Sequence, residues 1–484
     1  MSLPETPLAA FKALLDHKTH HPAMLWGGVT TSFGDLNRMS LHFRRTFIEN
    51  GVRAGTGVVL SAPNAPWVAA AVLATWDMGA YPVFVSPHAP AGHVTRAESL
   101  THAACVLTED SPDTGDDTLD DQPLTPSCPE DIASVVFTSG STGEPKGVMQ
   151  SGSNLLSGAM RVGRLIGYGS DDRILCPVPF SHDYGWGQLL SCLCLGQTLV
   201  LPDREGMPAI CDAISLHRPT VIAGTPAVLA GMVYGISNIR KTDLTSVVKL
   251  TSTGSHLSPD LVTDVMALFP NAEIFANYGL SETYRSACLV PGDRKGREAG
   301  VGRAIEGVVL VVVDEAGNVM PPDTEGEIVH IGAGTALGYI GDPDRTARVF
   351  RGFVYEGVAR RGVMTGDIGR IDSEGFLTLI GRRDRLIKTM DVRVSLDEIE
   401  RTLLASQLLE RVAMVDIVDR TLGRKLVAYL VLRSHASVAD IKAYARQHLS
   451  KYMLPRAWHQ VASLPATPSG KVDYPALRTM ANDC

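Results

Sequence analysis

The chain alternates short apolar runs with longer stretches whose apolar residues recur every three or four positions. Residues 22–34 read as a short strand pair about Gly27-Gly28, and Phe33-Gly-Asp-Leu opens an amphipathic helix to about Asn50. Val58 to Leu60 predicts a strand, Pro66 to Met78 an apolar helix and Tyr81 to Val85 the next strand. Ile132 to Phe137 predicts a buried strand. Ser153 to Tyr168 predicts a helix, because Leu155, Leu156, Ala159, Met160, Leu165 and Ile166 share one face. Gln188 to Leu195 reads as an apolar helix, and Thr198 to Leu201, Thr220 to Ile222 and Val247 to Leu250 as strands. Such alternation implies a mostly parallel sheet with helices on its faces. From 301 to 380 the pattern becomes β-rich, with runs at 308–313, 327–331 and 376–380 broken by Gly, Pro and Asp. Beyond it, Ser395-Leu-Asp-Glu398 opens a helix as a capping box, strands lie near 412–417 and 426–432, and Ser437 to Asp440 starts a helix through Leu449. The expected fold is α/β: a large N-terminal domain of β-α-β sheets plus a β-rich subdomain over 1–383, and a small α+β domain over 384–484.

Composition narrows the class. At 484 residues the chain is too long for one ordinary core. A hydrophobic fraction of 45% with 20% charged residues describes a globular protein, expected to be cytoplasmic. A formal charge of −8 without a basic block argues against nucleic acid as a partner. No apolar run reaches the roughly 18 residues of a membrane helix, and Met1 to Ala10 lacks the basic start and apolar run of a secretory signal. The eight cysteines form no CxxC pair and are expected to be reduced. Residues 109–131 hold nine acidic residues and several prolines, and read as a solvated loop.

The densest candidate chemistry lies at Thr138-Ser-Gly-Ser-Thr-Gly-Glu-Pro-Lys-Gly147. Three glycines, four hydroxyls and one lysine stand within ten residues. Gly140 and Gly143 let backbone N–H groups approach an anion. Thr138, Ser139, Ser141 and Thr142 offer donors to phosphate oxygens, and Lys146 adds a positive charge. With a strand before it and a helix after it, the stretch reads as a strand–loop–helix phosphate site. A flexible linker would not follow a buried strand directly. A P-loop fails, because Lys146 follows Pro145 rather than Gly.

The same stretch resembles the phosphate loop of the adenylate-forming superfamily, which includes acyl-CoA synthetases, peptide-synthetase adenylation domains and luciferases. Further motifs follow in that family's order. Ile274-Phe-Ala-Asn-Tyr-Gly-Leu-Ser-Glu-Thr283 resembles its Tyr-Gly-x-Thr/Ser-Glu motif. There Asn277, Tyr278 and Gly279 end a strand, Tyr278 can stack on adenine, Ser281 can reach the α-phosphate and Glu282 can hold Mg²⁺. Gly254, Ser255 and His256 occupy the adenine loop, although His256 departs from the commoner small residue or proline. Asp367, in Thr365-Gly-Asp, can accept both ribose hydroxyls, with Arg382 of Gly381-Arg-Arg-Asp384 as its partner. Asp384 matches the hinge about which the small domain swings. Lys471, in Pro465-Ala-Thr-Pro-Ser-Gly-Lys, matches the mobile lysine that contacts both the substrate carboxylate and the α-phosphate.

Pro177-Val-Pro-Phe-Ser-His-Asp-Tyr-Gly-Trp-Gly precedes the predicted 188–195 helix. His182 fits the family's gate beside the acid pocket, against the alternative of a surface-loop histidine. Asp183 stands where amino-acid-activating members hold the substrate ammonium; it would equally serve as a helix N-cap.

The resemblance implies an ATP-dependent carboxylic acid ligase. A small carboxylic or amino acid attacks the ATP α-phosphate, giving acyl-AMP and pyrophosphate, with Lys471, Mg²⁺ and the hydroxyl loop stabilising the charge. The small domain then rotates, and the acyl group passes to a phosphopantetheine thiol of CoA or of a carrier protein. Asp391 stands where many CoA ligases have glycine, which favours altered or carrier-protein docking. Thirteen residues follow Lys471, so a carrier is expected to be a separate protein. An amino-acid-specific enzyme, a luciferase-type oxidase and a non-catalytic nucleotide-binding relative are the alternatives. The intact Glu282, Asp367 and Lys471 argue against the last.

Overall fold

The predicted parallel sheet is two sheets. The computed structural model describes residues 4–109, 128–139, 145–235, 237–255, 257–297, 300–389, 392–419, 423–467 and 471–482. A nine-stranded sheet runs, in spatial order, Arg303–Ala304, Ala287–Leu289, Glu273–Tyr278, Lys249–Ser252, Val221–Ala223, Arg173–Leu175, Thr198–Leu201, Pro22–Trp26 and Val29–Ser32. Its six central strands are parallel, and antiparallel pairs close both edges. A six-stranded sheet runs Gly338–Tyr339, Pro145–Ser151, Ile132–Ser139, Tyr81–Phe84, Gly57–Ser61 and Cys105–Thr108. Helices fill the space between. Pro66–Asp77 is buried on every side except at Trp67, as its uninterrupted Ala/Val/Leu sequence requires. Trp186 of the helix Asp183–Leu195 packs 4.7 Å from Phe84 and 5.9 Å from Trp76, tying that helix to the six-stranded sheet.

Two local expectations are corrected. The stretch after Ile132–Ser139 does not run from loop to helix. Lys146 to Ser151 returns as a strand, so the loop is a hairpin in which Thr138 pairs with Lys146. The helix Gly152–Ile166 follows that strand, with the Ser151 side chain capping it. Gly147, Val148 and Gln150 to Ser151 are buried against neighbours on both faces, which favours sheet pairing over a free phosphate loop. The second correction is that the helix expected at 188–195 begins at Asp183. His182, not Asp183, is its N-cap, with Nδ1 3.1 Å from the Tyr184 nitrogen and 2.8 Å from Asp183 Oδ1, so that it accepts from the first when unprotonated or donates to the second when protonated. The helices Pro7–Lys18 and Ala91–Thr101 carry too weak a periodicity to be expected.

The β-rich unit pairs Val308–Val313, Gly326–Gly332, Val358–Ile371, Phe350–Tyr355 and Leu377–Arg382. Asp384 lies in the single turn Arg383–Arg385. Beyond it, the hairpin Leu386–Thr389/Val392–Ser395 leads to the helix Leu396–Leu404. A three-stranded sheet of Leu409–Asp419, Gly423–Leu432 and Ala457–Gln460 is covered by separate apolar clusters on its two faces. This unit touches the rest through Arg382 N donating to Asp397 Oδ2 at 2.9 Å and Gln407 Nε2 donating to Asp260 Oδ2 at 2.8 Å.

Candidate active site

The site lies where the ends of the two sheets meet the small domain. Lys146, on Pro145–Ser151, places Nζ 2.6 Å from Glu282 Oε1, just beyond Glu273–Tyr278. The Tyr339 hydroxyl donates to the same oxygen at 2.6 Å and accepts from Lys146 at 3.3 Å. Glu282 is 5% exposed. Burial pushes its carboxyl up, but Lys146 and Tyr339 outweigh that and hold it below the ordinary glutamate value. Both contacts fall on Oε1. Thr138 faces Lys146 across the hairpin, and its Oγ1 is buried without a hydrogen-bond partner. Gly140, Ser141, Thr142 and Gly143 lie outside the described residues, as does the Ser139 side chain.

Asp367 and Arg382 sit directly opposite each other on paired strands. Arg382 Nη1 donates to Asp367 Oδ1 at 2.9 Å, and the Tyr278 hydroxyl donates to Oδ2 at 2.6 Å. Burial raises the Asp367 carboxyl above its ordinary value despite Arg382 and Tyr278. Tyr278 is 7% exposed, with its hydroxyl fixed by this contact. On the neighbouring strand, Ser252 Oγ is buried without a partner. So is Asn277 Oδ1, although Asn277 Nδ2 donates to Ser252 O at 3.4 Å. Gly254 has φ +99°, open to glycine, and follows that strand with Ser255 exposed beside it. Gly279 brings the backbone close to Arg285 and Ser286. His256 and Asp391 lie outside the described residues.

The third group surrounds the start of Asp183–Leu195. Asp183 Oδ1 lies 2.8 Å from His182 Nδ1, and Oδ2 accepts from the Ser281 hydroxyl at 3.1 Å. His182 Nδ1 serves Asp183 only when it carries a proton, so the Ser281 hydroxyl is the fixed donor to this carboxylate. Burial pushes the Asp183 carboxyl up, but His182, then Lys471 and Arg285, pull it well below the usual range. Lys471, on the small domain, thus acts on a carboxylate of the large one. Its own backbone is held by Thr467 N donating to its carbonyl at 2.7 Å. Asp183 and Ser281 border a narrow cleft walled by Val136, Val148, Gln150, Leu155, Trp186 and Tyr284.

Most of the residues singled out in the sequence converge here. Ser281 differs in its contact: its hydroxyl is engaged by Asp183. Tyr339 and Arg285 are not marked by any sequence motif; Tyr339 stands in Gly338-Tyr-Ile-Gly341, where only its aromatic character between glycines gives a signal. Thr138 Oγ1, Ser252 Oγ and Asn277 Oδ1 are buried polar atoms that a nucleotide would satisfy, so the residues present fit ATP. Glu282 Oε2 fits a magnesium ion completed by phosphate oxygens. Among the described residues, no cluster of three His, Cys, Asp or Glu could hold a metal alone. No helix among them is long and apolar enough to cross a membrane.

Residues 11–340 match the family model for AMP-binding enzymes, and residues 398–471 that for the AMP-binding enzyme C-terminal domain. The dimodular nonribosomal peptide synthase of Bacillus subtilis (strain 168) is 26% identical over 94% of this chain, which spans only 20% of that protein. The chain spans 8% of tyrocidine synthase 3 of Brevibacillus parabrevis, at 27% identity over 98% of its own length. The 4-coumarate--CoA ligase-like 2 of Arabidopsis thaliana is 29% identical over 72% of this chain and 60% of its own length. Among solved structures, the amide bond synthetase McbA from Marinactinospora thermotolerans superposes with a TM-score of 0.85 and 26% identity, over 98% of this chain and 99% of its own. The o-succinylbenzoate CoA synthetase from Bacillus subtilis, in complex with an acyl-adenylate intermediate, shares the fold with a TM-score of 0.87 at 22% identity, over 98% of each chain.

Proposed function

The chain belongs to the AMP-binding enzyme family of adenylate-forming ligases, and on that premise we propose that it activates a small carboxylic acid as its acyl-adenylate and passes the acyl group to a phosphopantetheine thiol. The observation that carries the reading is the grouping of Asp183 with Ser281 and His182 beside the cleft, with the charge of Lys471 acting on the Asp183 carboxylate.

Each residue has a definable task. Asp367, held by Arg382 and Tyr278, accepts the ribose hydroxyls and fixes the nucleoside. Thr138 and the hydroxyl loop up to Gly143 hold the β- and γ-phosphates. Lys146 keeps Glu282 ionised, and Glu282 would hold the magnesium ion, which supplies charge neutralisation at the phosphates. Asn277, Gly254 and Ser255 border the adenine. Lys471 brings its ammonium group to the meeting point of the substrate carboxylate and the α-phosphate. The carboxylate oxygen attacks phosphorus, and the bond to the bridging oxygen breaks with release of pyrophosphate. Positioning and charge stabilisation supply the rate, with no protein nucleophile. Asp384 is the pivot for the second half-reaction, in which the thiol sulfur attacks the acyl carbon and AMP leaves.

Asp183 holds His182 and Ser281 in place. Each of its oxygens keeps a further acceptor position, so an amino acid held through its ammonium group by Asp183 is the second reading. The acceptor is CoA or a carrier protein; the peptide-synthetase relatives favour the carrier. The test is ATP–pyrophosphate exchange over a panel of amino, aliphatic and aryl acids. Exchange that depends on one acid class supports the reading. Absence of acid-dependent exchange with ATP bound would overturn it.

A further inference from the structure

Asp367 stands on an irregular stretch of strand. Between Gly326–Gly332 and Val358–Ile371, Glu327 pairs with Ile368 and Val329 with Met364, so Ile328 alone faces Thr365, Gly366 and Asp367. The surplus on the longer strand is a bulge, a device by which a strand re-aims a side chain. Here the side chain re-aimed is Asp367, which meets Tyr278 and Arg382.

A bulge takes backbone N–H groups out of the ladder, and each needs another acceptor when buried. Asp367 N donates to Thr365 Oγ1 at 3.1 Å, and that hydroxyl donates to Ile328 O at 2.7 Å. Gly366, at φ +71°, donates its N–H to Glu327 Oε1 at 3.0 Å. Glu327 is 3% exposed, on a strand where Ile328, Val329 and Ile331 are buried. Its Oε2 lies 2.8 Å from Arg383 Nη1, an ion pair without the alignment of a hydrogen bond. The Arg383 side chain is 54% exposed, so water screens that pair. Burying a carboxylate is costly. A neutral amide would satisfy the Gly366 N–H at a smaller desolvation cost. What a carboxylate adds is a stronger, charge-assisted grip on that N–H.

We propose that Glu327 is a positioning residue for the nucleotide: through the Gly366 N–H it holds the bulge that aims Asp367 at the ribose hydroxyls. It acts on ATP only through Asp367. The proposal rests on the nucleotide role given to Asp367 in the function inferred above.

The test measures binding of ATP and 2′-deoxy-ATP by calorimetry to the full chain, in wild type, Glu327→Met, Glu327→Gln, Asp367→Asn and the double variant Glu327→Met/Asp367→Asn. Glu327→Met should weaken ATP about 10-fold and 2′-deoxy-ATP less, so that most of the preference for ATP is lost. Glu327→Gln keeps an acceptor without the charge and should lie between wild type and Glu327→Met. The double variant should bind ATP no more weakly than Asp367→Asn alone, because the two residues act as one unit. Glu327→Asp keeps the charge and draws the acceptor back from Gly366. It should behave as Glu327→Met does, and it decides the question if Glu327→Met does not fold. Equal weakening of both nucleotides, or additive losses in the double variant, would show a merely structural residue and overturn the proposal. Nucleotide binding that changes as expected, without acid-dependent pyrophosphate exchange in wild type, contradicts the adenylating function and leaves this assignment standing. Acid-dependent exchange in wild type with unchanged ATP preference in the Glu327 variants does the reverse.

Discussion

Lys146 Nζ and Glu282 Oε1 lie 2.6 Å apart, although 136 positions separate them: Lys146 is on a strand of the six-stranded sheet and Glu282 in the turn after Glu273–Tyr278 of the nine-stranded one. The pair clamps the six-stranded sheet to the end of the nine-stranded one at the site. Its burial is unequal, with side-chain exposures of 25% for Lys146 and 6% for Glu282. Replacing Lys146 by Met leaves an anion buried with only Tyr339 to hold it, which should cost about 2–3 kcal/mol at pH 7. Glu282 is held below its ordinary value of 4.5, so its stabilising contribution is present above that pH and lost as the pH falls through the lower folded value. In Lys146→Met the carboxyl can instead take up a proton as the pH drops. The gap between the two proteins in urea denaturation is therefore expected to narrow from pH 7 to pH 4.

Asp367 carries two protein donors and, in the proposed role, two ribose hydroxyls. Asp367→Asn should raise the KM for ATP about 10- to 100-fold, the range of a lost charged hydrogen bond. A merely structural role would weaken all nucleotides alike. The ribose role predicts that the wild type prefers ATP to 2′-deoxy-ATP and that the variant does not. Competition between the two nucleotides in the exchange assay checks this.

The small domain holds a buried cluster next to Asp384. Arg385 stacks 3.8 Å from the Tyr474 ring and binds Glu400 Oε1 at 2.5 Å, and Tyr474 donates to Glu400 Oε2 at 3.1 Å. Burial raises the Glu400 carboxyl from 4.5 to about 7, against the pull of Arg385. A raised carboxyl binds its proton more tightly in the folded state. Stability from this group is therefore complete below about pH 4.5 and falls as the pH rises to about 7. Glu400→Gln removes that fall. Relative to wild type it should gain up to about 3 kcal/mol on going from pH 5 to pH 8. Hydrogen exchange in the helix Tyr474–Asn482 measures it.

Much of this site is legible in the sequence because its motifs are short and local. Ile274 to Thr283 places Asn277, Tyr278 and Glu282 at a strand end, and Gly381-Arg382 places an arginine opposite Asp367. The pairing of Lys146 with Glu282 is not legible, since it needs the register of two sheets that no local pattern encodes. The hairpin at Thr138 is hidden for a related reason: Pro145-Lys-Gly resembles a loop ending, and only pairing with Ile132–Ser139 makes it a strand. The helix at Asp183 starts five residues before its apolar pattern does, because Gly185 and Gly187 mask the helical periodicity; it holds through burial of Tyr184 and Trp186. Arg285 gives no signal, since a single arginine in a polar turn reads as solvated until its burial is seen.

The central claim is that Lys471, carried on the small domain, completes a site for adenylating a carboxylate. Its most direct test is acid-dependent ATP–pyrophosphate exchange in Lys471→Ala beside wild type, with ATP affinity measured on the same samples. The expected result is exchange lowered by about 100-fold or more, with ATP binding kept within about threefold because the proposed ribose and phosphate contacts lie on the large domain. Exchange at the wild-type rate in Lys471→Ala, or exchange that proceeds without any acid, would contradict it.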